Sequence, residues 1–162
     1  MIPIIMSIIP DAKAGNQAGV LEAIRSGTAV DEVDKAGRTA LLYATAASDQ
    51  DLMDILLQAG ADPNIGDSEG WAALHFAAQN QWETGIRSLV EYGAKIDLPD
   101  KHGNPPLFRA VFAYRGAGNA VALLLALGAS PSLKNRHGVS PRDLAETIAN
   151  YDSRKFFADR GN

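Results

Sequence analysis

The sequence predicts an all-α solenoid of about five helix-turn-helix units joined by hairpin-like loops, and three observations predict it. Gly37, Gly70, Gly103 and Gly138 recur at intervals of 33, 33 and 35 residues. Gly27, Gly60, Gly93 and Gly128 recur at the same intervals, so two glycine series share one period and one two-residue slip. Between the glycines, apolar residues fall at helical spacing and turn-forming residues cluster at fixed offsets. A period in the low thirties marks an array of supersecondary units, none able to bury its apolar face alone.

On this phase the chain is one domain, 1–162, divided into an apolar N-terminal arm (1–11), an N-capping unit (12–33), central units at 34–66, 67–99 and 100–134, and a C-capping unit (135–160). The arm carries an apolar run from Ile2 to Ile9 between Pro3 and Pro10, and is expected to cover an exposed end of the core. A secretory leader would place basic residues ahead of such a run, so a cytoplasmic location is expected, with export the minor alternative. The N-capping stretch AKAGNQAGVLEAIRSG keeps Gly15 between two short helices and Gly27 at the stop, with few large apolar residues.

In the next unit Thr39 is the expected N-cap of a helix carrying Leu41, Leu42, Ala44 and Ala46. Ser48 or Asp49 opens the second helix, and Leu52, Met53, Ile55, Leu56 and Leu57 give it an apolar stripe that stops at Gly60 in the left-handed conformation. Asp49, Asp51 and Asp54 sit near that helix start, where carboxylates favour the macrodipole. ADPNIGDSEG is then turn chemistry. Helices of about ten residues are marginal alone, so stacking must hold them. The two-residue slip falls in FRAVFAYRGAGNA, 108–120. In the last unit Arg142 replaces a core leucine and DSRKFF sets charges beside Phe156 and Phe157, as a terminal unit needs with one face inward and one to solvent.

Composition narrows the function. A chain of 162 residues, 46% hydrophobic and 21% charged, suits one soluble globular domain. A net charge of -4 without any dense Lys/Arg run offers no field for a phosphate backbone, so nucleic acid is not an expected partner. There is no cysteine for disulfide or thiol chemistry, and no apolar run reaches membrane-spanning length. RGAGNA, 115–120, has the glycines of a phosphate loop but neither its strand nor its lysine. No nucleophile, base and orienting group can be assembled, and no cofactor is expected.

Four positions of each unit read Thr39-Ala40-Leu41-Leu42, Ala72-Ala73-Leu74-His75, Pro105-Pro106-Leu107-Phe108 and Ser140-Pro141-Arg142-Asp143. A later motif reads Leu56-Leu57-Gln58-Ala59-Gly60-Ala61, Leu89-Val90-Glu91-Tyr92-Gly93-Ala94 and Leu124-Leu125-Ala126-Leu127-Gly128-Ala129. The pattern resembles the ankyrin repeat family, with its Thr-Pro-Leu-His tetrapeptide, Ala pair and Leu-Leu-x-x-Gly-Ala, over about residues 12 to 157. The resemblance implies that His75 bonds backbone and turn groups and is not catalytic, although Ala72 stands where the family has threonine.

The resemblance also implies protein recognition by a concave face, with loop tips as fingers and first helices as palm. The expected partner-binding residues are then Lys35, Arg38, Glu69, Trp71, Lys101, His102, Asn104, Arg136 and His137 on the fingers. Gln79, Asn80, Phe112, Tyr114 and Arg115 complete the set on the palm. Trp71 and the Phe112–Arg115 insertion stand out, because aromatics and arginine dominate interface hot spots. Packing against its own hairpin is the competing reading of Trp71, and Trp82 is read as structural. His102 and His137 occupy equivalent loop positions that stacking brings within about 10 Å; with no third ligand, no metal site is expected.

The expected function is a non-enzymatic protein-binding module, monomeric when unbound, acting as an inhibitor or adaptor. Two alternatives stay open: a bacterial immunity protein neutralising a cognate toxin, and a self-assembling array joined through the apolar arm.

Overall fold

A computed structural model describes residues 6–148 and 151–158. Among these residues the chain forms α-helices and one closing 3-10 helix, with no strand. In order they are α1 (Ile9–Ala14), α2 (Gln17–Arg25), α3 (Ala40–Ala46), α4 (Gln50–Gln58), α5 (Ala73–Gln79), α6 (Glu83–Glu91), α7 (Pro106–Ala113), α8 (Ala120–Ala126), α9 (Pro141–Thr147) and the 3-10 helix Ser153–Phe157. The odd-numbered helices stack in sequence as an inner layer, and α4, α6 and α8 stack more loosely behind them. This is the predicted solenoid.

Each α-helix is six to nine residues long, short of the ~12–15 that isolated helices need. Packing therefore supplies the stability. The inner helices bury alanines, among them Ala40, Ala44, Ala73, Ala77 and Ala110, which let neighbouring backbones approach. The outer helices fill the space behind with Leu52, Leu56, Ile86, Leu89, Val121 and Leu124, all fully buried.

Helix starts follow local chemistry. Thr39 accepts from the Leu42 N–H, Asp49 from that of Leu52, Asn16 from that of Gly19 and Ser140 from that of Asp143. Trp82 holds the equivalent place before α6 without a capping bond. Its ring lies against Gly85, where an added Cβ would fall 2.2 Å from a ring carbon, so packing stands in for a cap. Trp82 is structural, as expected.

The hairpin-like loops repeat one hydrogen-bond pattern. One carboxylate oxygen of Asp34 accepts from the N–H groups of Ala36 and Arg38; Asp67 does the same for Glu69 and Trp71, and Asp100 for His102 and Asn104. Asn135 repeats it with His137 and Val139. Successive loops are then joined through backbone: Ser68 N–H donates to the Ala36 carbonyl, Lys101 to Glu69 and Arg136 to His102, each at 2.9 Å. Gly70, at φ 77°, permits this approach; a Cβ there would lie 2.7 Å from the Lys101 nitrogen.

At the N-terminal end, α1 takes Ile9, Pro10 and Asp11 from the segment expected as an arm. Ile8 and Ile9 are buried, the Ile8 N–H donates to Glu32 Oε2 at 3.0 Å, and Thr28 Oγ1 donates to the Met6 carbonyl at 2.6 Å. The rest of that arm, 1–5, lies outside the described residues, as do 149–150 and 159–160 of the expected C-capping unit. At the far end the 3-10 helix buries Phe157 and sets Phe156 edge-on to Tyr114, centroids 5.2 Å apart. The two-residue slip is absorbed between α7 and α8, where residues 114–119 replace the three-residue links 47–49 and 80–82.

Candidate functional site

The loops and the inner helices of the central units enclose a cleft of about 340 Å³ lined by Arg38, Asp67, Glu69, Trp71, Phe76, His102 and Arg109. Its construction follows from the repeat. Tyr43, Phe76 and Arg109 occupy one column, 33 residues apart on α3, α5 and α7, each nine residues after the aspartate of its loop. The Tyr43 hydroxyl donates to Asp34, and Arg109 Nη2 donates to Asp100 Oδ2 at 2.6 Å. Phe76 has nothing to donate, and Asp67 is approached instead by Arg38 Nε of the preceding unit, at 3.6 Å.

Cations and rings alternate along this face. Lys13 Nζ lies 5.4 Å from the Tyr43 centroid, and the Arg38 guanidinium 5.8 Å from both the Tyr43 and Phe76 centroids. Phe76 meets Trp71 edge-on at 5.1 Å, and Arg109 covers Trp71 at 4.2 Å. Cation–π contacts of this kind favour a fixed ring orientation. Trp71 is thus half-buried, packed on its own unit with part of its surface lining the cleft.

Hydrogen bonds hold the site's charged groups. Burial pushes the Asp100 carboxyl up, but the hydrogen bond from Arg109 and those from the Asn104 and His102 N–H groups outweigh it and leave the group below the usual carboxylate range. The hydroxyl of Tyr43 and the Arg38 N–H lower Asp34, and the same bond raises Tyr43. His75 is fully buried; its Nδ1 accepts from the Ala72 N–H at 3.2 Å and its Nε2 donates to the Asn104 carbonyl at 3.0 Å. Burial holds the imidazole below its ordinary pKa, in the neutral form. Ala72 has no hydroxyl, and its backbone N–H is what reaches His75. With both ring nitrogens engaged, His75 ties one unit to the next.

Several expected contact residues are placed differently. Asn104 is only 6% exposed: its side chain bonds Asp100 and accepts from Asn135 Nδ2 at 2.8 Å. Tyr114 is 2% exposed beneath Phe156. Neither presents a side chain to a partner, because each lies under the following unit. Asn80 is exposed, yet its amide donates to the Ala46 carbonyl and to Ser48 Oγ, each at 3.1 Å, closing the C-terminal end of α3. Arg115 similarly donates to the carbonyls of Phe112 and Tyr114 at the end of α7, at 2.9 and 3.0 Å.

Arg38, Glu69, Trp71 and His102 converge in the cleft. Lys101 Nζ reaches Glu69 at 3.4 Å, and His102 Nε2 stands 3.9 Å from the other oxygen of that carboxylate. Lys35, Arg136 and His137 are exposed on their loops, Gln79 is half-buried and Phe112 is 50% exposed. No cluster of three or more His, Asp or Glu suited to a metal occurs among the described residues. Phe76, Arg109 and Asp67 were not among the expected site residues. The signal for them is the column itself, since 43, 76 and 109 carry the repeat period toward the cleft.

A family description of ankyrin repeats in three copies matches residues 11–100 and 43–135. The chain belongs to the ankyrin repeat family. Ankyrin repeats generally mediate protein–protein interaction, and similar ankyrin regions occur within much larger proteins. The tyrosine-protein kinase Shark of Drosophila melanogaster is 35% identical over 117 residues, 72% of this chain and 12% of its own length. The mitochondrial disaggregase of Bos taurus is 31% identical over 145 residues, 86% of this chain and 21% of its own. The inactive serine/threonine-protein kinase TEX14 of Bos taurus is 35% identical over 96 residues, 58% of this chain and 6% of its own. This chain therefore spans a small fraction of these relatives. No helix among its described residues is long and apolar enough to cross a membrane.

Proposed function

We propose that this ankyrin array is a non-enzymatic module that recognises a protein partner through the cleft between its fingers and palm, acting as an inhibitor or adaptor. The observation that carries the reading is Trp71, fixed by Phe76 and Arg109 in a preformed cavity with the loop charges Arg38 and Glu69 at its rim. A held aromatic loses little entropy on binding and presents large apolar area, the combination found at interface hot spots. The non-enzymatic part rests on His75, the one fully buried imidazole, whose two nitrogens both serve the fold.

Paired affinity baits test it: wild-type protein and Trp71→Ala, each checked for an unchanged helical spectrum, applied to extract of the source cell. The variant should weaken capture of the partner by about 30-fold, the effect of a hot spot of 2 kcal/mol. Equal capture by both folded baits would remove the cleft from the interface.

A further inference from the structure

Arg38 packs between units, yet part of its hydrogen-bonding capacity is left over. Its guanidinium lies between the Tyr43 and Phe76 rings, yet Nε is buried with no hydrogen-bond partner and approaches Asp67 only to 3.6 Å. The side chain is 39% exposed. Arg109 Nε is buried and unpartnered too, but Arg109 Nη2 donates to Asp100, whereas the Arg38 side chain has the Tyr43 hydroxyl beside it and, among the described residues, no carboxylate within hydrogen-bond distance. A guanidinium offers five N–H donors in a fixed fork that matches a carboxylate. Buried polar groups are otherwise almost always satisfied.

The neighbouring acids do not complete it. Asp67 spends one oxygen on the Glu69 and Trp71 N–H groups, and Glu69 faces Lys101 and His102. The same cleft is walled by Trp71 and Phe76, apolar surfaces beside a charged fork. We infer that the cleft takes a glutamate side chain of the protein partner, its carboxylate accepting from the terminal amino groups of Arg38 and its methylene stem lying against Trp71 and Phe76. This rests on the protein-binding reading above. A chain-terminal carboxylate has no such stem, and the cleft of about 340 Å³ lies at the small end of the range for ligand pockets.

The test uses the whole protein, isotope-labelled, with the Arg38 Nε–H and Trp71 indole N–H signals followed by NMR. Three N-acetylated probes are titrated: acetyl-Ala-Glu-Ala-amide, its glutamine counterpart, and acetyl-Ala-Ala-Ala with a free terminal carboxylate. Saturable shifts of both signals are expected with the glutamate peptide, at affinity at least tenfold above the other two. The Trp71 shift should be lost in Arg38→Gln and weakened in Arg38→Lys, which keeps the charge but loses the fork, each variant first shown to keep the wild-type helical spectrum. Absence of saturable shifts, equal response to glutamine, preference for the free terminus, or persistence in Arg38→Gln would each overturn the assignment. If the peptides fail while Trp71→Ala still loses the partner, only the glutamate assignment falls; if Trp71→Ala captures normally, the cleft reading itself is gone.

Discussion

His75 shows what a single side chain does when a repeat places it between units. It is neutral because burial makes the charged form costly. Its folded pKa lies below the value near 6.5 of the unfolded chain, so the unfolded state binds the proton first and stability rises with pH across that interval. The contribution is complete above about pH 6.5 and is lost as pH falls through the depressed folded value. Urea midpoints measured from pH 7.5 down to 4.5 should therefore decline below 6.5, and His75→Gln should flatten that decline. An equal slope in both proteins would deny the histidine this role. Asp34, Asp100 and Asp143, all lowered, lose their contributions at more acid pH, below their ordinary value of 3.8. Some residues were legible from their neighbours in sequence: Thr39 and Asp49 cap the helices that follow them, since a cap needs only the next three residues. Tyr114, Asn104 and Asn80 were not, because what covers or engages each belongs to another unit, 31 to 42 residues away for Asn135, Asn80's partners and Phe156.

At the scale of the element, the two glycine series do different work. Gly60 has φ 92° and open space where a Cβ would go, whereas Gly70 has φ 77° and the Lys101 nitrogen 2.7 Å from that point. Gly60→Ala should cost about 1 to 2 kcal/mol, the strain of a left-handed alanine. Gly70→Ala should cost more, since it also forces two loops apart, and chemical denaturation of the pair reads the difference directly. Equal losses would mean that the loops do not constrain one another. The periodicity made the helices and their stops legible, but not this division between the series. It also left Arg109 unnoticed, because its value lies in Asp100 and Trp71, which come together only once the loop folds back over the helix.

For the whole molecule, stability is a sum over neighbours, and the ends matter most. The 3-10 helix Ser153–Phe157 closes the stack by burying Phe157 and covering Tyr114. Truncation after Asp152 should expose that aromatic surface, removing about 2 kcal/mol or more and lowering the melting temperature by at least about 4 °C. Binding of a fluorescent hydrophobic dye should rise with it; a truncated chain that melts unchanged and stays dark to the dye would show the cap to be dispensable. The bend at 114–119 has the opposite character. It is exposed from Arg115 to Asn119 and accommodates its surplus length while the loops on either side keep their mutual bonds. That makes it a socket: an epitope or reporter peptide spliced between Gly116 and Ala117 would ride outside the stack without rephasing the modules that flank it.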